Sequence, residues 1–275
     1  VEARVSQRVG KGPVSLIVKA WILATMKLML RSCAHVFVVS FDSRSTRANF
    51  LQQEFGLNSS RVSLEPHPAL LQNVTERIPR ELEPLRELPF VSCPGFFRKE
   101  KGFDLAVEAW SKLPSEMSGL RLVIVGPAIT HDGKGYLDEV KGRCAKFDLR
   151  DRVLLVPRFL RGSELLWVLR HSRLVLLPYL HNSGTSGVAV DALACGAKVL
   201  ATASGVMGES FSHPNLAFTE STPEGIASSV RRLLSTEGSA TAVPNPDPAK
   251  TAPGFERVTD IALDQYLRLD KWWTR

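Results

Sequence analysis

From residue 89 onward, short apolar runs alternate with longer segments in which apolar and polar residues recur at helical spacing. The apolar runs predict six buried strands: Phe90–Cys93, Leu122–Val125, Val153–Val156, Leu174–Leu177, Val199–Thr202 and Leu216–Thr219. Strands separated by helix-length segments are typical of βαβ units, whose strands run parallel in one sheet. A capping hydroxyl and a proline, Thr222 and Pro223, stand before a helix predicted over Ile226–Leu234. We therefore predict an α/β fold, with a Rossmann-like doubly wound parallel sheet over residues 89–235.

The chain before residue 68 has too few elements for a sheet domain of its own. Its pattern predicts helices over Val14–Leu30 and Arg44–Phe55, with one strand over Val36–Ser40 between them. Because one strand and two helices cannot bury a core of their own, we interpret residues 1–68 as a partial N-terminal α/β domain.

Three further segments have compositions of their own. Residues 69–88 are rich in proline and charge, which is typical of a linker. The prolines and glycines of residues 236–254 predict a flexible excursion. A last helix is predicted over residues 255–275, and we expect it to pack back toward the N-terminal part.

The composition is that of a globular protein, with 275 residues of which 44% are hydrophobic and 23% are charged. The cysteines are far apart and form no CxxC pair: Cys33, Cys93, Cys144 and Cys195. This spacing argues against a zinc site and against a disulfide scaffold. A reducing, cytoplasmic location is therefore the simplest expectation.

Positive charge is concentrated at the start of the chain. The net charge is +7, and residues 1–50 carry eight basic but only two acidic side chains. Such charge suits phosphate-bearing partners, or it forms a solvated helix face. Lys19 and Lys27 interrupt the apolar segment Val14–Leu30, so its longest uncharged run is too short to span ~30 Å of hydrocarbon. The segment faces either a core or a membrane surface, which leaves peripheral membrane contact through residues 1–50 open.

The stretch Gly184–Gly187 combines a glycine-rich loop with a helix start. It follows the strand Leu174–Leu177, so we expect it to turn the chain into a helix. The backbone N–H groups of such a loop, together with the helix dipole, favour an anion. Asp191 follows one helical turn later, where its carboxylate can reach hydroxyls beside that anion. A phosphate joined to a sugar fits this arrangement, although the same glycines and serine also serve in plain turns.

Glycine-containing segments also follow other predicted strands. Gly95–Gly102 follows the first strand, Gly126 ends the second, and Gly205–Glu209 follows the fifth. In an open parallel sheet, ligands bind in the crevice beyond the carboxyl ends of the strands, where these segments meet. Arg98 and Lys101 bring positive charge to that crevice, unless they are merely solvated surface residues.

The order and spacing of these segments resemble the C-terminal, donor-binding domain of GT-B glycosyltransferases. The closest likeness is to the retaining nucleotide-sugar enzymes of glycosyltransferase family 4 (group 1), over residues 89–235. The matching residues are Gly95, Lys101 to Asp104, Val125-Gly126, Pro178-Tyr179, Ser186 to Leu200, Gly205 and Glu209. The resemblance implies transfer of a hexosyl unit from a UDP- or GDP-sugar with retention of configuration. It further implies a glycan, lipid or small-molecule acceptor, and no nucleic acid partner.

The resemblance also implies roles for individual residues. Arg98 and Lys101 would bind the donor diphosphate beside Gly95. The N–H groups of Ser186, Gly187 and Val188 would cradle that diphosphate, and Asp191 would hold the ribose hydroxyls. The backbone at Arg158 and Phe159 would meet the base, and Ser183 would lie near the transferred sugar. No metal and no further cofactor is implied, because Arg98 and Lys101 neutralise the leaving group.

Three positions depart from the family pattern. Ser183 stands where a glutamate usually contacts the transferred sugar, Asp191 replaces a glutamate, and Phe96 replaces a common arginine. The catalytic residues stay unassigned, since the family's acceptor site and catalytic histidine belong to its N-terminal domain. Two alternatives therefore stay open. One is a nucleotide-sugar-binding module or pseudoenzyme that lacks its own acceptor domain, and the other is a sugar-nucleotide epimerase of the same architecture.

Overall fold

The computed structural model describes residues 13–33, 36–40, 53, 56–66, 69, 74–180, 186–203 and 213–235. These residues fall into two compact units, which we call the first unit, before residue 68, and the second unit, after it. Several predictions lie outside the described residues: most of the helix Arg44–Phe55, Ser183, the loop Gly205–Glu209, the excursion 236–254 and the last helix 255–275.

The described residues of the first unit include a long helix and two strands. Helix α1 spans Pro13–Ser32, strand β1 spans Val36–Ser40 and strand β2 spans Val62–Pro66. The strands pair in parallel, with Val36 opposite Val62. The helix predicted over Val14–Leu30 and the strand predicted over Val36–Ser40 are thus confirmed.

Helix α1 presents apolar side chains on its surface. Ile17, Trp21 and Leu28 are each about 70% exposed. Among the described helices, none is long and apolar enough to cross a membrane. Contact of this helix with a membrane surface stays a prediction.

The second unit is built on one parallel sheet whose strands match the predicted ones to within one residue. The strands are β3 (Phe90–Pro94), β4 (Arg121–Val125), β5 (Val153–Val156), β6 (Leu174–Leu177), β7 (Val199–Thr202) and β8 (Leu216–Thr219). Their order across the sheet is β5-β4-β3-β6-β7-β8, and every neighbouring pair is parallel. The predicted fold class is therefore confirmed.

Helices cover the sheet on both sides, which explains why its strands are continuous apolar runs. The helices are α2 (Phe103–Ser111), α3 (His131–Lys146), α4 (Gly162–His171), α5 (Gly187–Ala194) and α6 (Pro223–Ser235). Alternate strand residues face opposite sides of a sheet. Accordingly, Leu122 and Ile124 belong to an apolar cluster with residues of α2, α3 and α6, whereas Val123 and Val125 belong to one with residues of α4.

The segment before β3 packs on the second of these clusters. It contains a 3-10 helix, Arg80–Leu85, whose Leu82 is fully buried among the residues of β4, β5 and α4. This part of the segment predicted as a linker is therefore held against the sheet. Its assignment as a connection between domains stays a prediction.

The strand order places a crevice at the middle of the sheet. From β3 the chain proceeds to β4 and β5 on one side, and then returns to β6 on the other side of β3. The connections that follow β3 and β6 consequently lead in opposite directions along the sheet from its carboxyl edge. In open α/β sheets this switch point is where ligands bind.

Candidate functional site

The loops that follow β3 and β6 are held together by backbone contacts. Gly102 has a φ of +66°, and a Cβ atom at this position would collide with the carbonyl oxygen of Pro178. The Leu180 N–H donates to the Glu100 carbonyl at 3.0 Å. Glycine is therefore required at residue 102 both by its backbone conformation and by this close approach.

A row of three side chains crosses from the loop after β3 to the start of α5. The Lys101 Nζ lies 3.9 Å from the centroid of the Tyr179 ring. The Tyr179 Oη lies 3.0 Å from the Ser186 Oγ, and Tyr179 itself is buried. Burial raises the pKa of the Tyr179 phenol, so the ring stays neutral beneath the ammonium. The row thus connects a positive charge with the N-cap residue of a helix.

Helix α5 begins at this row. Ser186 is its N-cap, and the Ser186 Oγ accepts a hydrogen bond from the Ala189 N–H at 3.3 Å. The first N–H groups of an α-helix have no acceptor within the helix, and those of Gly187 and Val188 occupy such positions. Positive charge from Lys101 and the positive end of the helix dipole therefore meet at the crevice.

Asp191 lies one turn into α5 and is only 5% exposed. A buried carboxylate in the helix that starts at the crevice has the acceptor chemistry that ribose hydroxyls require. Its predicted contact with a ribose stays a prediction.

Gly95 and Arg98 lie on the same loop as Lys101. The Gly95 N–H donates to the Val125 carbonyl at 2.9 Å, and a Cβ on Gly126 would collide with the Gly95 carbonyl. The tips of β3 and β4 are therefore in close contact. The Arg98 side chain is 54% exposed, and its Nε lies 2.9 Å from the Glu100 carboxylate. Part of its charge is compensated before any ligand binds.

A polar network anchors the same loop from behind. The Lys99 Nζ lies 2.6 Å from Glu139 and 3.1 Å from Asp104, whose carboxylate also accepts a 2.6 Å hydrogen bond from Tyr136. Burial opposes ionisation of Asp104, but the bonds from Tyr136 and Lys99 outweigh it and lower the pKa of this carboxyl. Lys99 is thus engaged in fixing the loop to α2 and α3, while Lys101 faces the loop after β6.

Farther along the same half of the sheet, Arg158 follows β5 and lies between two carboxylates. Its guanidinium contacts Glu81 at 2.7 and 2.8 Å and Glu164 at 2.8 and 2.9 Å. The hydrogen bond from Arg158 lowers the pKa of Glu81 to about 2. The next residue, Phe159, is 69% exposed. The resemblance assigned the base to the backbone here, and that role stays a prediction.

The family of this chain follows from its sequence. The family model described as glycosyl transferases group 1 matches residues 74–245, which is more than half of the chain. The chain belongs to this family. Among curated proteins, none matches it.

Solved structures share the GT-B fold of this group 1 chain at low sequence identity. Sucrose-phosphate synthase from Thermosynechococcus elongatus matches with a TM-score of 0.74 at 18% identity, covering 97% of this chain and 64% of that one. HepE from Anabaena, in complex with UDP and glucose, matches with a TM-score of 0.69 at 18% identity, covering 89% and 66%. The C-terminal domain of LpcC from Francisella tularensis, a group 1 protein, matches with a TM-score of 0.52 at 20% identity, covering 70% and 97%. The chain thus spans just under two thirds of the length of the first two.

The structure brings several predicted residues of this group 1 chain to one edge of the sheet. Gly95, Arg98 and Lys101 lie on one loop, and Ser186 to Val188 begin the facing helix. Tyr179, which connects Lys101 with Ser186, had no role predicted from the sequence. The sequence signal that could have indicated Tyr179 was its position directly after a buried strand, beside the glycine-rich loop.

Proposed function

We propose that this chain is the donor-binding part of a retaining family 4 glycosyltransferase, which takes a hexosyl unit from a UDP- or GDP-sugar. The observation that carries the proposal is the row Lys101, Tyr179 and Ser186 at the switch point of the sheet. It places a lysine ammonium and a helix N-terminus on one crevice, and a diphosphate is complementary to both.

The chemistry of transfer explains why this charge is needed. As the bond between the sugar and the β-phosphate breaks, negative charge develops on the β-phosphate oxygens. In the proposal the Lys101 ammonium and the N–H groups of Ser186, Gly187 and Val188 stabilise that charge, with Arg98 nearby. Donors that are already in place lower the barrier without reorganising during the reaction. These groups supply the charge compensation, so the proposal assigns no metal.

Asp191 is proposed to bind the ribose of the same donor. Asp191 follows, by one turn of α5, the N–H groups that would hold the diphosphate, and side chains on a helix lean toward its N-terminus. A ribose is the next group after the diphosphate in a nucleotide sugar. HepE, to which this chain is similar in fold, was solved with UDP-glucose, so this sugar nucleotide is a suitable first donor to test.

One observation favours a second candidate function, a nucleotide-sugar-binding module without transfer activity. Ser183 stands where the family pattern has a glutamate that contacts the transferred sugar. Incubation with radiolabelled UDP- and GDP-sugars and mixed glycan, lipid and small-molecule acceptors separates the two candidates. Donor-specific transfer supports the enzyme, whereas binding without transfer supports the module.

Calorimetric titration with UDP and GDP tests the proposed site. A charge-assisted hydrogen bond contributes roughly 1.5–3 kcal/mol, so Lys101→Ala should weaken nucleotide binding about tenfold or more. Lys141→Ala is the matched control, because Lys141 pairs with Asp138 on the surface of α3. Equal affinities of Lys101→Ala and the unmodified protein for both nucleotides would contradict the proposal.

A further inference from the structure

The guanidinium of Arg158 has every one of its hydrogen-bond donors in use. An arginine side chain carries five N–H groups in a fixed plane. Nε and Nη2 donate to Glu81, Nη2 and Nη1 donate to Glu164, and Nη1 also donates to the carbonyl oxygen of Phe159 at 3.1 Å. Five contacts therefore match five donors. A side chain in this state holds its neighbours in place and has no N–H left for a ligand.

The carboxylates come from two different parts of the second unit. Glu81 belongs to the 3-10 helix Arg80–Leu85, and Glu164 belongs to the first turn of α4. Glu164 also accepts a hydrogen bond from the Arg161 N–H at 2.9 Å, which fixes the start of α4. We call Glu81, Arg158 and Glu164 the clamp. Because Arg158 also donates to the Phe159 carbonyl, the clamp fixes the backbone of the loop after β5.

The loop that the clamp holds lies at a defined distance from the diphosphate site. Strand β5 is the second neighbour of β3, and two strand spacings amount to about 10 Å. This is comparable with the separation that a ribose and a phosphate put between the β-phosphate and the base of a nucleotide. Phe159 and Ile129 follow the adjacent strands β5 and β4, and their side chains are 69% and 68% exposed. An apolar surface at this distance suits the face of a nucleobase.

We propose that Arg158 is a positioning residue, which Glu81 and Glu164 hold so that the Phe159 backbone and ring form the platform for the nucleobase of the donor. The inference rests on the proposed function, because it requires the diphosphate of the donor to bind at Lys101 and α5. The base is then recognised by a loop whose peptide groups are fixed in advance, rather than by the charge of Arg158. Loss of one clamp carboxylate loosens the platform and leaves the phosphate site unchanged.

The test compares a nucleotide with a ligand that has phosphates and no base. Glu81→Gln removes one clamp charge, and Glu83→Gln is its matched control, since Glu83 lies on the same 3-10 helix and pairs with Arg86 at 3.0 Å. Calorimetry gives the affinities of both variants for UDP, GDP and inorganic pyrophosphate. We expect Glu81→Gln to weaken the tighter-binding nucleotide about fivefold, leaving pyrophosphate unchanged, and Glu83→Gln to change neither.

A second variant, Arg158→Lys, keeps the inference testable if Glu81→Gln does not fold. Arg158→Lys retains one positive charge but loses the planar fork, so it should show the same selective loss of nucleotide affinity. An equal loss of pyrophosphate affinity in the two clamp variants, or full nucleotide affinity in both, would overturn the inference. If the unmodified protein binds pyrophosphate but neither UDP nor GDP, the proposed function fails and the base platform fails with it. If the unmodified protein binds UDP or GDP and the clamp variants match it, only the platform fails.

Discussion

Lys101 and Arg158 both follow strands at the carboxyl edge of the same sheet, yet their charges are used in different ways. The Lys101 ammonium lies on the ring of Tyr179, an aromatic partner that carries no charge. Arg158 lies between two carboxylates, and its hydrogen bonds to Glu81 and Glu164 raise its own pKa. A basic residue after a strand therefore either directs its charge at a ligand or holds its own loop in place. The partners decide between these roles.

The two loops also differ in how their backbones are fixed. The loop after β3 contacts the loop after β6 through main-chain atoms, and glycine at residue 102 makes this possible. The loop after β5 is fixed by side chains, through the clamp. Changes in the first loop should therefore affect both stability and phosphate binding, whereas changes in the clamp should affect base recognition with little loss of stability.

The largest expected effect is that of Gly102→Ala. The left-handed backbone conformation and the collision with the Pro178 carbonyl together should lower the free energy of unfolding by about 3 kcal/mol. Urea denaturation measures this loss, and UDP or GDP affinity should fall as well. Gly119→Ala is the control, because a Cβ atom there meets nothing within 4 Å. Equal stability of the two variants would show that the loops after β3 and β6 do not depend on this contact.

A smaller effect is expected from Asp191→Asn. The amide still accepts one hydrogen bond, so nucleotide binding should weaken by on the order of 1–2 kcal/mol while the fold is retained. Calorimetry with UDP and GDP measures the change, and circular dichroism checks the fold. Because the proposed partner of Asp191 is a ribose, 2′,3′-dideoxy nucleotides should bind the unmodified protein more weakly than the ribose forms. If both forms bind equally well, Asp191 has another role.

The smallest effect concerns the pH dependence of stability through the clamp. The pKa of Glu81 falls from its ordinary value of 4.5 to about 2 on folding, chiefly through its hydrogen bond to Arg158. A carboxyl whose pKa is lowered on folding stabilises the protein above its unfolded pKa, and this stabilisation is lost as the pH falls through the folded value. The pair is more than one third exposed, so the contribution should be less than about 1 kcal/mol.

The comparison of two proteins isolates this contribution. The difference in unfolding free energy between the unmodified protein and Glu81→Gln should be constant at neutral pH and shrink between pH 4.5 and about pH 2. Denaturation at a series of pH values measures it. A difference that does not change over this interval would show that Glu81 is not held by Arg158 in solution.

The sheet could be predicted from the sequence because its strands are buried on both faces. Such strands are continuous apolar runs, and β5 and β6 match their predicted bounds, Val153–Val156 and Leu174–Leu177. The packing of Leu82 could not be predicted, because one buried leucine in a segment rich in proline and charge leaves no periodic signal. The composition of that segment indicated only a linker.

The site was predictable where neighbours in sequence form it, and not where distant residues do. Ser186 and Asp191 belong to one loop and helix, so their spacing placed them together. The contact between Glu81 and Arg158 joins residues 77 positions apart, and no local pattern encodes it. The sequence therefore indicated a basic residue after β5, but not that its charge is already compensated.

Hydrogen–deuterium exchange with and without nucleotide tests most directly whether the donor binds at the switch point of the sheet. With saturating UDP or GDP, exchange should slow in residues 95–102 and 186–191, which would hold the diphosphate and ribose, and in residues 157–160, which would hold the base. Exchange in α6, away from these loops, should not change. Unchanged exchange in residues 95–102 and 186–191 despite calorimetrically proven nucleotide binding would contradict the account.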